Sequence, residues 1–262
     1  MAPTSSTLPP DFLCGSSPKL TITPIDFSQT SLQAYSGLYA VIVDNAFTAS
    51  ECASLVRTAE VRAGGKWEQA MIDVGHGVQE LDTTVRSCGR IVCDDHEIAE
   101  KIWARVKDAV PEIEVLKDWP DVTGKWACRL KEVWKMTRLN ERLRFLKYGP
   151  GEYFRPHCDG LYTTPNGKEA SFFTLHLYLN ESDPETPGGK LEGGATTFHG
   201  YDFEEMDSWD ESGEVVKRLD VVPKMGRVLI FQQRDLLHSG DDVTAGTKLT
   251  MRTDLMYKRA EN

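Results

Sequence analysis

From residue 142 to residue 257 the chain is written in short runs of β-branched, aromatic and aliphatic residues, closed by turns rich in glycine and proline. The runs are 142–148, 172–179, 195–199, 215–222, 227–232 and 248–257. Strands this short and this regularly interrupted predict a sandwich or barrel, and a double-sheet jelly roll suits them. Each strand alternates its side chains between two faces, so each must be read as two separate sets of residues.

The segment ahead of these strands has a different character. Residues 1–35 are rich in Pro, Ser and Thr without a sustained period, which predicts a mobile tail. Residues 38–43 predict a strand. Thr48 and Glu51 have capping-box spacing, and Cys52, Leu55, Val56 and Ala59 then share one helical face. A second helix is expected near Asp95, with Ile98, Ile102 and Val106 as its stripe. The expected fold class is therefore α+β, mainly β: a double-stranded β-helix (jelly roll) with supporting N-terminal helices. Residues 36–262 would form one domain, with 36–141 as helix-rich support and 142–262 as the jelly-roll core.

Charge narrows the range of partners. With 40 acidic against 30 basic residues the net charge is -10, the opposite of what phosphate neutralisation requires, so no nucleic-acid partner is expected. No apolar run approaches membrane-spanning length, so no membrane partner is expected. The first residues carry no secretory leader pattern. Six scattered cysteines without C-x-x-C spacing fit reduced thiols in a cytoplasmic enzyme. Between Glu181 and Glu214 lie eleven acidic residues and one lysine, Lys190, which predicts a solvated loop.

The chemistry is concentrated in His157-Cys158-Asp159, followed by His238 and Lys248. In a strand, residues two apart face the same way, so His157 and Asp159 can converge on one ion while Cys158 points away. His238, at the end of the 227–232 strand, can reach the same point. Two imidazoles and one carboxylate make a facial metal site with open positions, the donor set of non-haem iron(II) oxygenases. Lys248, Thr250 and Arg252 share one strand face. An ammonium beside a hydroxyl is a good receptor for a carboxylate. Arg252 can hold a substrate anion or pair with an acidic neighbour. His176, on the same face as Thr174 and Tyr178, is placed to line the pocket or to sit buried and hydrogen-bonded. His76, His96 and His199 lack a carboxylate at ligand spacing.

With these residues in place the chain resembles the iron(II)- and 2-oxoglutarate-dependent dioxygenases, in their prolyl 4-hydroxylase-like branch. The resemblance runs over 38–257. It is carried by Tyr148-Gly149-Pro150-Gly151 leading to His157-Cys158-Asp159, by Thr174 to Asn180, and by Gly193-Gly194-Ala195-Thr196-Thr197-Phe198. Arg227 to Phe231, His238-Ser239-Gly240 and the ten-residue step to Lys248 complete it. It implies a metal site of His157, Asp159 and His238, and a 2-oxoglutarate site of Lys248, Thr250, Tyr148 and Tyr178. It also implies Fe(II), 2-oxoglutarate and O2 as cofactors, with ascorbate as a candidate reductant, and oxidation with formation of succinate and CO2. The run Arg252 to Tyr257 is similar to fungal and microbial relatives rather than to collagen-type enzymes. A small-molecule substrate such as an amino acid or specialised metabolite is therefore expected, with Arg252 and Arg144 as candidate anchors of its carboxylate. The alternatives are a peptidyl-prolyl 4-hydroxylase and a non-catalytic jelly-roll scaffold. An open groove beside the metal would favour the peptide, and a pocket capped by residues 162–170 the small molecule.

Overall fold

The structure is a computed structural model that describes residues 12–13, 19–75, 78–182, 189–200 and 217–260. Its first strands and helices are β1 (Thr21–Pro24), β2 (Ala40–Asp44), α1 (Ala49–Arg62), β3 (Arg86–Ser87), β4 (Gly89–Asp94) and α2 (His96–Val106). Strands β5 (Val133–Leu139), β6 (Arg142–Tyr148), β7 (Tyr153–His157), β8 (Glu169–Tyr178) and β9 (Thr196–His199) follow. The last are β10 (Arg218–Val221), β11 (Val228–Gln232), β12 (His238–Gly240) and β13 (Lys248–Arg259).

These strands make the two expected sheets. The larger runs β1-β2-β11-β8-β13-β6-β4, with β5 also paired to β13; the smaller runs β10-β9-β12-β7-β3. All these pairings are antiparallel. The period of two sorts the larger sheet into two faces. Leu143, Phe145, Leu175, Leu177, Val228, Ile230, Met251 and Leu255 pack in one apolar cluster with Cys52, Leu55, Ala59, Ile98 and Ile102 of the helices. The alternate residues Tyr148, Thr174, His176, Lys248 and Arg252 are left on the other face.

The helices start where their caps place them. The Thr48 hydroxyl accepts from the Glu51 N–H at 3.3 Å, and Glu51 Oε2 accepts from the Thr48 N–H at 2.8 Å. Asp95 caps α2 by accepting from the Ile98 N–H. The second Glu51 oxygen, Oε1, receives Nη2 of buried Arg105 at 3.0 Å, which ties α1 to α2.

Three expectations change. Residues 19–35, expected to belong to a mobile tail, are ordered instead, because β1 pairs with β2 and Phe27, Leu32 and Tyr35 are buried. Those side chains close the gap between the sheets: Phe27 packs edge-on against Phe198, and the Tyr35 hydroxyl donates to the His199 carbonyl at 2.6 Å. The support segment is less helical than expected, since β4 and β5 extend the larger sheet. Ile91, Cys93 and Leu139 supply the inward face of these strands. Finally, most of the acidic stretch lies outside the described residues.

Thr48→Ala removes one cap acceptor and is expected to cost about 1 kcal/mol. Glu51→Ala also strands the buried Arg105 guanidinium and should cost roughly 3 kcal/mol. Urea-denaturation midpoints of the two variants check the order; equal losses would deny the Glu51–Arg105 pair its role.

Candidate active site

Strand pairing brings the site together. His157 ends β7 and lies directly across from His238 in β12, past an irregularity in the ladder after Phe154. Their rings are 4.4 Å apart between centroids. Asp159 does not continue the strand as expected, because the chain leaves the ladder after His157. It is drawn instead onto the facing sheet. Its Oδ2 accepts from the Thr174 hydroxyl at 2.6 Å, and its Oδ1 receives Nη2 of Arg252 at 2.9 Å. The same Oδ1 lies 3.6 Å from His157 Nε2 and 3.8 Å from His238 Nε2. One ligand atom from each of the three residues falls within 4.8 Å of the others, as one metal ion requires. Cys158 is exposed.

The imidazoles are oriented for ligation. His157 Nδ1 lies 2.8 Å from the Arg155 carbonyl, and His238 Nδ1 lies 3.0 Å from the Leu236 carbonyl. A carbonyl only accepts, so each Nδ1 carries the proton and each Nε2 lone pair faces the centre. Burial, then the neighbouring His157, pushes the His238 pKa down to about 3, which keeps it neutral. Burial alone would raise the Asp159 pKa, but the Arg252 guanidinium beside it outweighs burial and holds the carboxyl well below its usual range. The site thus sets an ionised carboxylate beside two imidazoles whose Nε2 atoms face it.

These ligands open into a pocket whose wall includes Arg86, Tyr148, His176, Lys248 and Arg252. Lys248 is 2% exposed and has no carboxylate at ion-pair distance among the described residues. Burial pushes its pKa down to about 8, so it remains mostly a cation at neutral pH. On the same β13 face, Thr250 Oγ1 is buried without a hydrogen-bond partner, as is His176 Nε2 from β8. His176 is therefore not the hydrogen-bonded core histidine that its position also allowed.

Not every expected residue arrives. Tyr148 lines the pocket, and its ring lies 5.1 Å from Lys248 Nζ. Tyr178 is set behind: its hydroxyl donates to Thr196 Oγ1 at 2.7 Å and its ring packs with Phe198 and Phe231. Arg144 misses the pocket because its guanidinium is held 3.1 Å from Asp254, which also receives Asn140 and Gln233. Arg252 pairs through Nη2 with Asp159 and also lines the pocket, where its buried Nε has no hydrogen-bond partner. His96 and His199 stand apart from the ligand cluster, and His76 lies outside the described residues. Residues 162–170 fold back through a Thr163–Ala170 bridge and do not line the pocket.

Sequence reasoning missed Arg86. It reaches the wall through pairing of β3 with β7, and its guanidinium lies 4.4 Å from the Phe154 ring. Phe154 in turn stacks on His157 at 3.6 Å and 22°. No local pattern around Val85-Arg86-Ser87 announces this.

Thr174→Val removes the donor that fixes Asp159 and should weaken binding of Mn(II) or Fe(II) about tenfold. Cys158→Ser should leave it unchanged. Anaerobic metal titration of both variants is the check.

The comparisons with known proteins agree with this geometry. The family profile of the 2OG-Fe(II) oxygenase superfamily matches residues 143–253, a span that holds all three candidate ligands and Lys248. Comparison with curated protein sequences finds no match. Among solved structures, the chain is similar to a Pseudomonas putida prolyl-4-hydroxylase, with TM-score 0.52 and 17% identity. That match covers 88% of this chain and 97% of that one. It is also similar to a Trichoplax adhaerens prolyl hydroxylase in complex with a hypoxia inducible factor oxygen degradation domain peptide fragment. There the TM-score is 0.50, the identity 13%, and the match covers 87% of this chain and 88% of that one. The fold is therefore the one that prolyl 4-hydroxylases use, and residues 143–253 form a 2OG-Fe(II) oxygenase domain.

Proposed function

We propose that the chain binds iron(II) through His157 Nε2, Asp159 Oδ1 and His238 Nε2, takes 2-oxoglutarate against Lys248, and hydroxylates a small molecule. The observation that carries this reading is the buried Lys248, which faces the pocket of the His157–Asp159–His238 cluster without a carboxylate of its own. A buried ammonium is costly unless an anion joins it, and the cosubstrate supplies one. The donor set fits as well: imidazole and carboxylate suit ferrous iron. The unpartnered Thr250 Oγ1 and His176 Nε2 are orphaned polar atoms of the kind a carboxylate-bearing ligand satisfies.

When bound, iron(II) and 2-oxoglutarate activate O2 for oxidation of a substrate C–H bond, with release of succinate and CO2. The chain's own residues position and shield. Lys248 receives the far carboxylate, with the Thr250 hydroxyl donating beside it and Tyr148 closing one side. Arg252 keeps Asp159 ionised, and Thr174 fixes its orientation. Leu146, Phe154 and Phe231 supply the apolar part of the wall that excludes water.

A small molecule is favoured over a peptide because of how the wall is built. An extended peptide is read through backbone hydrogen bonds and side-chain subsites, whereas this wall offers arginine, lysine and histidine side chains. The second reading, a peptidyl-prolyl hydroxylase, draws on the fold shared with the Trichoplax adhaerens enzyme, whose structure holds a peptide fragment.

Anaerobic addition of Fe(II) and 2-oxoglutarate should produce the weak visible charge-transfer band of the chelate. His157→Ala should lose both the band and succinate formation; either one surviving would remove His157 from the site.

Lys248 also sets a pH dependence. Its lowered pKa of about 8 means that the free protein holds the cation below that pH and must take up a proton to bind the carboxylate above it. Affinity for 2-oxoglutarate should therefore fall by about tenfold per pH unit above about 8. Lys248→Arg should flatten that slope, since arginine keeps its charge throughout. The band titrated at successive pH values reads both.

A further inference from the structure

The charged groups of the pocket wall do not balance. Arg86, Lys248 and Arg252 face a single carboxylate, Asp159, which leaves a surplus of two positive charges. Iron(II) brings two positive charges and 2-oxoglutarate two negative ones, so loading the site does not remove the surplus. It stands in a chain whose net charge is -10. Positive charge collected at one recess of an acidic molecule focuses its field on an anionic ligand.

The three cations differ in what satisfies them. Arg252 Nη2 is held by Asp159 at 2.9 Å, with Asp254 behind it at 3.8 Å, which leaves its buried Nε without a hydrogen-bond partner. Lys248 is answered by the far carboxylate of the cosubstrate. Arg86 is answered by neither. It is 6% exposed, its Nε donates to Cys88 Sγ at 3.4 Å, and its other polar neighbour is the Tyr148 side chain. No carboxylate lies at ion-pair distance from it among the described residues. A guanidinium is a rigid fork that matches a carboxylate or phosphate through paired hydrogen bonds. A buried one lacking that partner is a costly arrangement, which a bound anion relieves. Phe154, packed against both Arg86 and His157, keeps the guanidinium one ring away from a metal ligand.

We infer that Arg86 binds an anionic group of the substrate, and that the substrate is a small carboxylate or a similar anion rather than an uncharged prolyl segment. This rests on the 2-oxoglutarate reading of the site and names its substrate class. Arg86 belongs to β3, outside the family-matched span, so the anion specificity comes from the part of the chain that precedes the oxygenase motifs.

The test uses full-length protein loaded with Mn(II), which is silent toward O2, and with saturating 2-oxoglutarate. The probes are matched pairs: benzoate and benzamide, N-acetyl-L-proline and its primary amide, N-acetyl-L-leucine and its primary amide. Binding is read by thermal shift and by tryptophan fluorescence. Acids should raise the melting temperature in a saturable manner where their amides do not. Arg86→Gln should weaken the acids about tenfold, and Arg86→Lys should restore part of the loss by keeping the charge without the fork. The Fe(II)–2-oxoglutarate band of Arg86→Gln, titrated separately, should shift its midpoint by less than about twofold, since the guanidinium is assigned to substrate alone.

Any of several outcomes overturns the inference. Acids and amides can bind equally, no acid can shift the melting temperature, or Arg86→Gln can leave the acid affinity unchanged. Arg86→Gln can also weaken 2-oxoglutarate itself, which would move Arg86 to the cosubstrate. Absence of the band in the unmodified protein is a different failure, of the cosubstrate reading, and is told apart by that control.

Discussion

The two-residue period of β13 is the constraint on which the site depends. Met251, Leu255 and Tyr257 bind the strand to the helical layer, and Lys248, Thr250, Arg252 and Asp254 fall between them on the opposite face. A slip of one residue in pairing would bury the cations against the helices and turn the methionine and leucine into the pocket. The ladder with β8 runs from Glu169↔Lys258 to Tyr178↔Thr250, and the ladder with β6 from Arg144↔Arg252 to Tyr148↔Lys248. Packing on one face therefore fixes chemistry on the other.

Charge alternates across that face. Arg144, Asp254, Arg252 and Asp159 form a row in which each group is held by one of opposite sign, ending at the candidate metal ligand. Asn140 and Gln233 satisfy Asp254 further. The row explains why a carboxylate as deeply buried as Asp159 stays ionised. It also explains why the two arginines that suggested themselves as substrate anchors each already hold a carboxylate, whereas Arg86 has none at ion-pair distance among the described residues.

What could be read in advance was what is local. The capping box of α1 and the late strands are short-range patterns, and they appear where their residues place them. The candidate metal ligands were legible because His157, Asp159 and His238 are chemically distinctive, but strand alternation does not account for all three. Asp159 reaches the site by leaving its strand, under the pull of Thr174 and Arg252 from the other sheet. The fate of Tyr178 depended on Thr196, and that of Arg144 on Asp254, neither of them a neighbour in sequence. Arg86 enters the pocket only through the β3–β7 pairing. Composition misjudged residues 19–35 because a few well-spaced aromatics outweigh the proline, serine and threonine around them.

Those aromatics have a practical consequence. Phe27 and Tyr35 pack around Phe198, which pairs across the ladder with His238, and Phe231 touches both Phe198 and the His238 ring. A shortened version of the protein beginning at Ser36, trimmed on the evidence of composition alone, would keep every residue of the oxygenase motifs. It would nevertheless leave a hollow behind the strand that presents the distal histidine, and loss of metal binding in such a fragment would be mistaken for a property of the ligands.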